Sequence, residues 1–159
     1  MDTSTNFPMT HDLFSILCSG TFEFERQVSS SYPTIPGVII KGTAQFSPLS
    51  PNGASFEEKG TYVLNELTYD CSQRQIYTWI EETLTIQKGD GYSLHTFDFS
   101  GNKGFPLEAT HLHPCRDDTY SLLITILSPD QWITFYKIYG PTKQYTITTT
   151  FKRLHPWVM

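Results

Sequence analysis

Gly20-Thr21-Phe22-Glu23-Phe24-Glu25-Arg26 is the stretch whose reading decides the fold. Apolar and charged residues alternate through it, so Phe22, Phe24 and Arg26 share one face while Glu23 and Glu25 share the other. That alternation is the mark of a strand with one buried face and one wet face. Arg26 rides on the aromatic face, and a guanidinium turned inward needs a partner.

The same period continues toward the C-terminus. In Val38 to Phe46, Gly42, Ala44 and Phe46 oppose Lys41, Thr43 and Gln45; in Phe56 to Leu64, Phe56, Glu58, Gly60 and Tyr62 oppose Glu57, Lys59 and Thr61. Glu58 is therefore the charged exception on its own aromatic face, and an Arg26–Glu58 ion pair inside the protein is the natural expectation. Ser29 to Gly37 reads as a loop and Pro48 to Gly53 as a turn. Further strands are expected over Gln75 to Glu81, Thr83 to Gln87, Tyr92 to Phe99, Thr119 to Leu127, Trp132 to Tyr139 and Gln144 to Arg153. Turns fall at Lys88-Gly89-Asp90-Gly91, Ser100 to Gly104, Ser128 to Gln131 and Gly140 to Lys143. Many short strands at even spacing predict an all-β fold, an antiparallel up-and-down barrel of nine to ten strands.

Toward the N-terminus the period changes. Thr10 can cap a short helix with Asp12 in its first turn, and Leu13, Phe14 and Leu17 fall on one side of it before Gly20. Such a helix is expected to plug one end of the barrel. The reading is thus a flexible segment 1–9, one barrel domain over 10–153 and a tail over 154–159.

Composition limits what such a barrel can do. With 159 residues the chain makes one domain with a real core. A net charge of -5 and the lack of a basic block argue against nucleic acid as a partner. No apolar run is long enough to span a membrane, and no leader pattern opens the chain, so a cytoplasmic location is expected. Cys18, Cys71 and Cys115 have no CxxC spacing, which argues against a disulfide scaffold or a structural zinc site. Aromatic residues make up 14% and charged residues 17%, a balance that suits an aromatic-lined cavity.

The densest chemistry lies in His111-Leu112-His113-Pro114-Cys115-Arg116-Asp117-Asp118-Thr119-Tyr120, which runs directly into an apolar strand. His111-x-His113-x-Cys115 has the outline of a metal edge, but Pro114 breaks the extended geometry, and neither a metal nor a cofactor is expected. His95, on the face of Phe97 and Phe99, has the side chain whose ordinary pKa lies nearest neutrality. His95, Asp118 and Tyr120, oriented by the His113-Pro114-Cys115 turn, form the expected catalytic set. Arg26, Glu58, Trp79, His113, Tyr136 and Lys143 form the expected substrate-binding set.

Several stretches in order resemble the bacterial and fungal "domain of unknown function 6314" family. They include Gly42-Thr43-Ala44-Gln45-Phe46, Tyr77-Thr78-Trp79, Leu94-His95-Thr96-Phe97-Asp98-Phe99, His113-x-Cys115-x-x-Asp118-x-Tyr120 and Gly140-Pro141-Thr142-Lys143-Gln144-Tyr145. The resemblance runs over about residues 13–153 and implies a small calycin-type, lipocalin-like barrel. It implies no settled activity, only that Glu58, His95, His113, Asp118, Tyr120 and Lys143 recur. Phe22 stands where a lipocalin-type first strand usually shows Trp.

Two functions fit these residues. One is a cofactor-free isomerase or cyclase that binds an apolar metabolite and moves protons on it. The other is a carrier or sensor of a hydrophobic or aromatic small molecule, with the polar groups only orienting it. Homodimerisation is compatible with either.

Overall fold

The computed structural model describes residues 10–32, 34–89 and 93–155, and there the alternation closes into a ring of strands. A short helix, α1 (Thr10–Leu17), is followed by β1 (Thr21–Tyr32), β2 (Thr34–Ser50), β3 (Gly53–Leu64), β4 (Leu67–Ile80) and β5 (Thr83–Lys88). The second half contributes β6 (Ser93–Asp98), β7 (Leu107–Cys115), β8 (Asp118–Ser128), β9 (Gln131–Tyr139) and β10 (Gln144–Arg153). Every ladder is antiparallel, and the strand order is β6-β5-β4-β3-β2-β1-β10-β9-β8-β7. The first strand thus pairs with the last, and among the described residues the ring is left unlaced between β6 and β7. The all-β, up-and-down barrel with a short N-terminal helix is the architecture read from the sequence.

Hydrophobic alternation fixes which way each strand faces. Phe22 and Phe24 of β1, Ala44 and Phe46 of β2, Phe56 of β3, Tyr77 and Trp79 of β4 and Phe151 of β10 are buried, while their odd-parity neighbours such as Glu23, Glu25 and Lys41 are exposed. Burial of such aromatic rings supplies most of the folding drive. They pack as a stacked cluster at one end: Trp132 lies on Phe151 at 4.0 Å, and Phe46 on Phe56 at 4.2 Å.

Helix α1 closes that end. Phe14, Leu17 and Cys18 sink into the core, and Trp79 Nε1 donates to Cys18 Sγ at 3.2 Å. The Arg153 guanidinium then satisfies the helix C-terminus by donating to the carbonyls of Ile16 (2.6 Å) and Ser19 (2.5 Å). It stacks under Phe22 at 4.6 Å and pairs with Asp130.

Four sequence readings need correction, the first being the His113-Pro114-Cys115 turn. Pro114 does not break the strand: these residues end β7 paired with Asp118 to Tyr120, and the turn lies at Arg116 and Asp117. Ser29 to Gly37 is not a loop: β1 runs on to Tyr32 and β2 starts at Thr34, with a register shift between Val28 and Ser30. The turn after β2 is confined to Pro51 and Asn52, since β3 already begins at Gly53. β4 begins at Leu67, not near Gln75, and turns from β3 through Asn65 and Glu66, both at positive φ (52° and 68°). The segments 1–9 and 156–159 and part of the Lys88–Gly91 turn lie outside the described residues.

Candidate functional site

Opposite the helix plug, the inward face becomes polar. Arg26, two positions beyond Phe24 on β1, and Glu58, two beyond Phe56 on β3, meet across β2: Arg26 Nη2 donates to Glu58 Oε2 at 2.8 Å. Nε of Arg26 donates to Thr149 Oγ1 at 2.8 Å, and the guanidinium lies 5.1 Å from the Phe24 ring. The charged exceptions of two strands thus form the expected pair. β2 admits it because its own inward residue beside them is Gly42, whose hydrogen faces the Lys59 carbonyl with no room for a Cβ.

These groups line a cavity of about 280 Å³ in the barrel, near the lower end of small-molecule sites. Gln75, Tyr77, His95, Tyr136 and Thr149 also face it, and Ile86, Leu122 and Ile147 supply its apolar wall. Two larger grooves, about 540 and 560 Å³, run along the outer surface beside Lys41 and Gly42 and are lined largely by exposed charged and threonine side chains.

Among the described residues, two buried side-chain atoms in the cavity have no hydrogen-bond partner. They are Glu58 Oε1 and His95 Nδ1. An unsatisfied buried acceptor costs free energy that a bound molecule can recover. Burial, reinforced by the positive potential of His111 and His113, pushes the His95 imidazole down from 6.5 to about 4. It is therefore neutral at neutral pH. Burial also pushes the Tyr77 phenol well above its ordinary value, and the Glu58 carboxylate adds to this. Tyr77 stays protonated, able to donate.

From His95 an arc of rings leads to the rim. His95 lies 5.3 Å from His111 and 5.5 Å from Tyr136; Tyr136 lies 6.2 Å from Tyr120, which stacks on His113 at 6.1 Å. His113 and Tyr120 are directly opposed on β7 and β8. At the rim Lys143 Nζ reaches Asp118 Oδ2 at 3.2 Å and the Tyr120 hydroxyl at 3.4 Å. The turn before β10 clasps this group, with Gly140 packed against the Asp118 carboxylate. The hydrogen bonds that Lys143 donates to the Tyr120 hydroxyl and then to the Asp118 carboxylate raise the Lys143 pKa.

The expected site residues therefore separate into three places. Arg26, Glu58, His95 and Tyr136 share the cavity. Asp118, Tyr120, His113 and Lys143 gather at the rim, and neither Asp118 nor Tyr120 lines the cavity. Trp79 lies at the plugged end, against Phe99 (5.4 Å) and Cys18. Sequence reading missed Gln75, Tyr77 and Thr149. The signal for Tyr77 was its shared parity with Trp79, and for Thr149 its parity opposite the wet Thr146, Thr148 and Thr150. Among the described residues, no three His, Cys, Asp or Glu side chains are arranged to hold a metal ion. Nor is any described helix long and apolar enough to cross a membrane.

A near-closed antiparallel barrel, plugged at one end by a helix and holding a polar cavity toward the other, defines a small calycin-like barrel protein. The S-type phycobiliprotein lyase CPES from Guillardia theta has a similar fold, with a TM-score of 0.59 at 8% identity over 94% of this chain and 95% of that one. Two designed proteins are also similar. A redesigned barrel, mFAP1, bound to DFHBI, has a TM-score of 0.44 at 18% identity, covering 91% of this chain and 98% of its own. A fluorescence-activating beta barrel of de novo design has a TM-score of 0.44 at 17% identity, covering 86% and 94%. At such identities the likeness concerns fold alone. No curated protein matches the chain. The chain belongs to a family of unknown function, DUF6314, whose sequence pattern matches residues 18–153.

Proposed function

We propose that the barrel binds a small, largely apolar molecule in the Arg26–Glu58–His95 cavity and acts on it as a cofactor-free isomerase or cyclase. The observation that carries this reading is the pair of orphaned buried atoms, Glu58 Oε1 and His95 Nδ1, facing one cavity. Arg26, itself held by Thr149, fixes the far side of the Glu58 carboxylate, leaving Oε1 free to take a proton from a bound molecule. Neutral His95 can hand a proton to a second position, and the protonated Tyr77 phenol can donate to charge developing on oxygen. Asp118, Tyr120, His113 and Lys143 serve at the rim, where they meet the molecule as it enters.

One observation favours the second reading, a carrier or sensor. An imidazole held near pKa 4 is a weak base at neutral pH. Native mass spectrometry of the purified protein, followed by incubation of the released ligand with protein in D₂O, separates the two. An isomerase returns the ligand rearranged or deuterated at carbon, and His95→Ala and Glu58→Gln each slow this by at least about a hundredfold. Tyr120→Phe acts mainly on KM. A ligand that is bound but returned unaltered makes the protein a carrier. If no small molecule binds, both readings fall.

A further inference from the structure

Granted the small-molecule binding proposed above, on which this inference rests, the charge balance of the cavity specifies more than the size of its ligand. Among the described residues lining the cavity the one cation, Arg26, is already spent on Glu58 and Thr149. An entering carboxylate or phosphate would have to displace Glu58 from the guanidinium and lie against its free Oε1. Like charges at that distance in a buried site repel strongly. A cationic amine fares little better. It would lose its water beside the Arg26 guanidinium, which already neutralises Glu58 at 2.8 Å and would repel a second cation. The ligand that fits is neutral.

A carboxylate oxygen only accepts, so what completes Glu58 Oε1 is a donor. Among neutral donors the O–H to carboxylate bond is short and strong. The walls add a shape requirement: Tyr77, Tyr136 and Phe151 present rings to the cavity, and ring faces pair best with a flat partner. His95 Nδ1 asks for a second polar contact, which a neutral imidazole can make as donor or acceptor. We propose that the cavity selects a neutral, flat phenol or enol whose hydroxyl donates to Glu58 Oε1.

The test uses three probes of one ring system: 1-naphthol, 1-methoxynaphthalene and 1-naphthoate, titrated by calorimetry into the full chain at about pH 7.5, where His95 is neutral. Wild type is expected to bind 1-naphthol about 10- to 100-fold more tightly than either other probe, the worth of a hydrogen bond to a charged acceptor. In Glu58→Gln the order should invert, because Arg26 is then an unpaired cation and 1-naphthoate gains most. The wild-type ranking decides the matter alone should that variant fail to fold. Ile147→Trp, which fills the cavity, should abolish binding of all three. Equal affinity for naphthol and its methyl ether, both lost in Ile147→Trp, overturns the hydroxyl assignment and leaves cavity binding standing. Tightest wild-type binding by 1-naphthoate does the same. Absence of binding by every probe, or binding that survives Ile147→Trp, overturns both this assignment and the binding reading.

Discussion

Across the unlaced edge between β6 and β7, His111 Nδ1 accepts a hydrogen bond from the backbone N–H of Thr96 at 2.7 Å. The same nitrogen lies 3.1 Å from the Thr96 carbonyl. A side chain from one edge strand thereby engages the backbone of a residue on the other, accepting from its N–H when Nδ1 is unprotonated, where a ladder would otherwise do so.

His111→Ala should loosen this edge without unfolding the barrel. The bond is exposed, so water replaces it, and the cost is about 1 kcal/mol, or about 2–4 °C in Tm. Amide hydrogen exchange at Thr96 should quicken markedly, while His113→Ala leaves it as in wild type. Equal Thr96 protection in wild type and His111→Ala would show that the imidazole is not the fastening.

The His95 environment sets a pH dependence whose sign is fixed. In the unfolded chain the imidazole titrates at about 6.5 and in the fold at about 4, so between those values the unfolded state binds the extra proton. Stability therefore falls as pH drops from about 6.5 to about 4, by up to about 3 kcal/mol, and levels off below. Urea denaturation across that window should show the slope in wild type and a flatter profile in His95→Gln. A variant slope as steep as wild type would refute the assignment.

Arg26 and Glu58 should behave as a unit. Arg26→Met strands a buried carboxylate and should cost about 3 kcal/mol, whereas Arg26→Met with Glu58→Leu should regain most of that loss. A double-mutant cycle should give a coupling of at least about 2 kcal/mol, and the double variant should no longer bind 1-naphthol. Additive losses would mean that the pair contributes no mutual stabilisation.

Glycine positions offer a contrast in packing. A Cβ on Gly42 would overlap the Lys59 carbonyl, so Gly42→Ala must push β2 from β3 at a cost of about 3 kcal/mol. At Gly104 a Cβ meets nothing within 4 Å, and Gly104→Ala should change stability by less than about 0.5 kcal/mol. Paired thermal melts decide between this and a tolerant β2–β3 contact.

Alternation in sequence tells which side of a sheet a residue faces, and for Arg26, Glu58 and His95 that was enough to bring them into one interior. It carries no information about height along the barrel axis. Trp79 has inward parity, yet it sits beneath the helix; Asp118 and Tyr120 share a face, yet they sit at the rim around Lys143. The extent of the β1–β2 and β3–β4 hairpins was hidden for a related reason. Ser29 to Ser31 and Leu64 to Asp70 are mostly exposed on both parities, so no hydrophobic period marks them as strands, while their backbones still pair. The unlaced edge between β6 and β7 was not legible either, because ring closure depends on how far each strand is bent and coiled.

Because Phe22 stands opposite Arg153 in the β1–β10 ladder, the ring is stitched where its first and last strands meet and parted between strands from its middle. Order along the polypeptide and order around the barrel are therefore offset by half a turn. A circularly permuted protein that started at Leu107 and finished at Asp98, with the old ends joined by a linker, would keep every ladder and move both new termini to the parted edge. Tethers, labels or fused domains placed there would sit beside His95 and His111, turning the natural gap into an attachment point that leaves the stitched side intact.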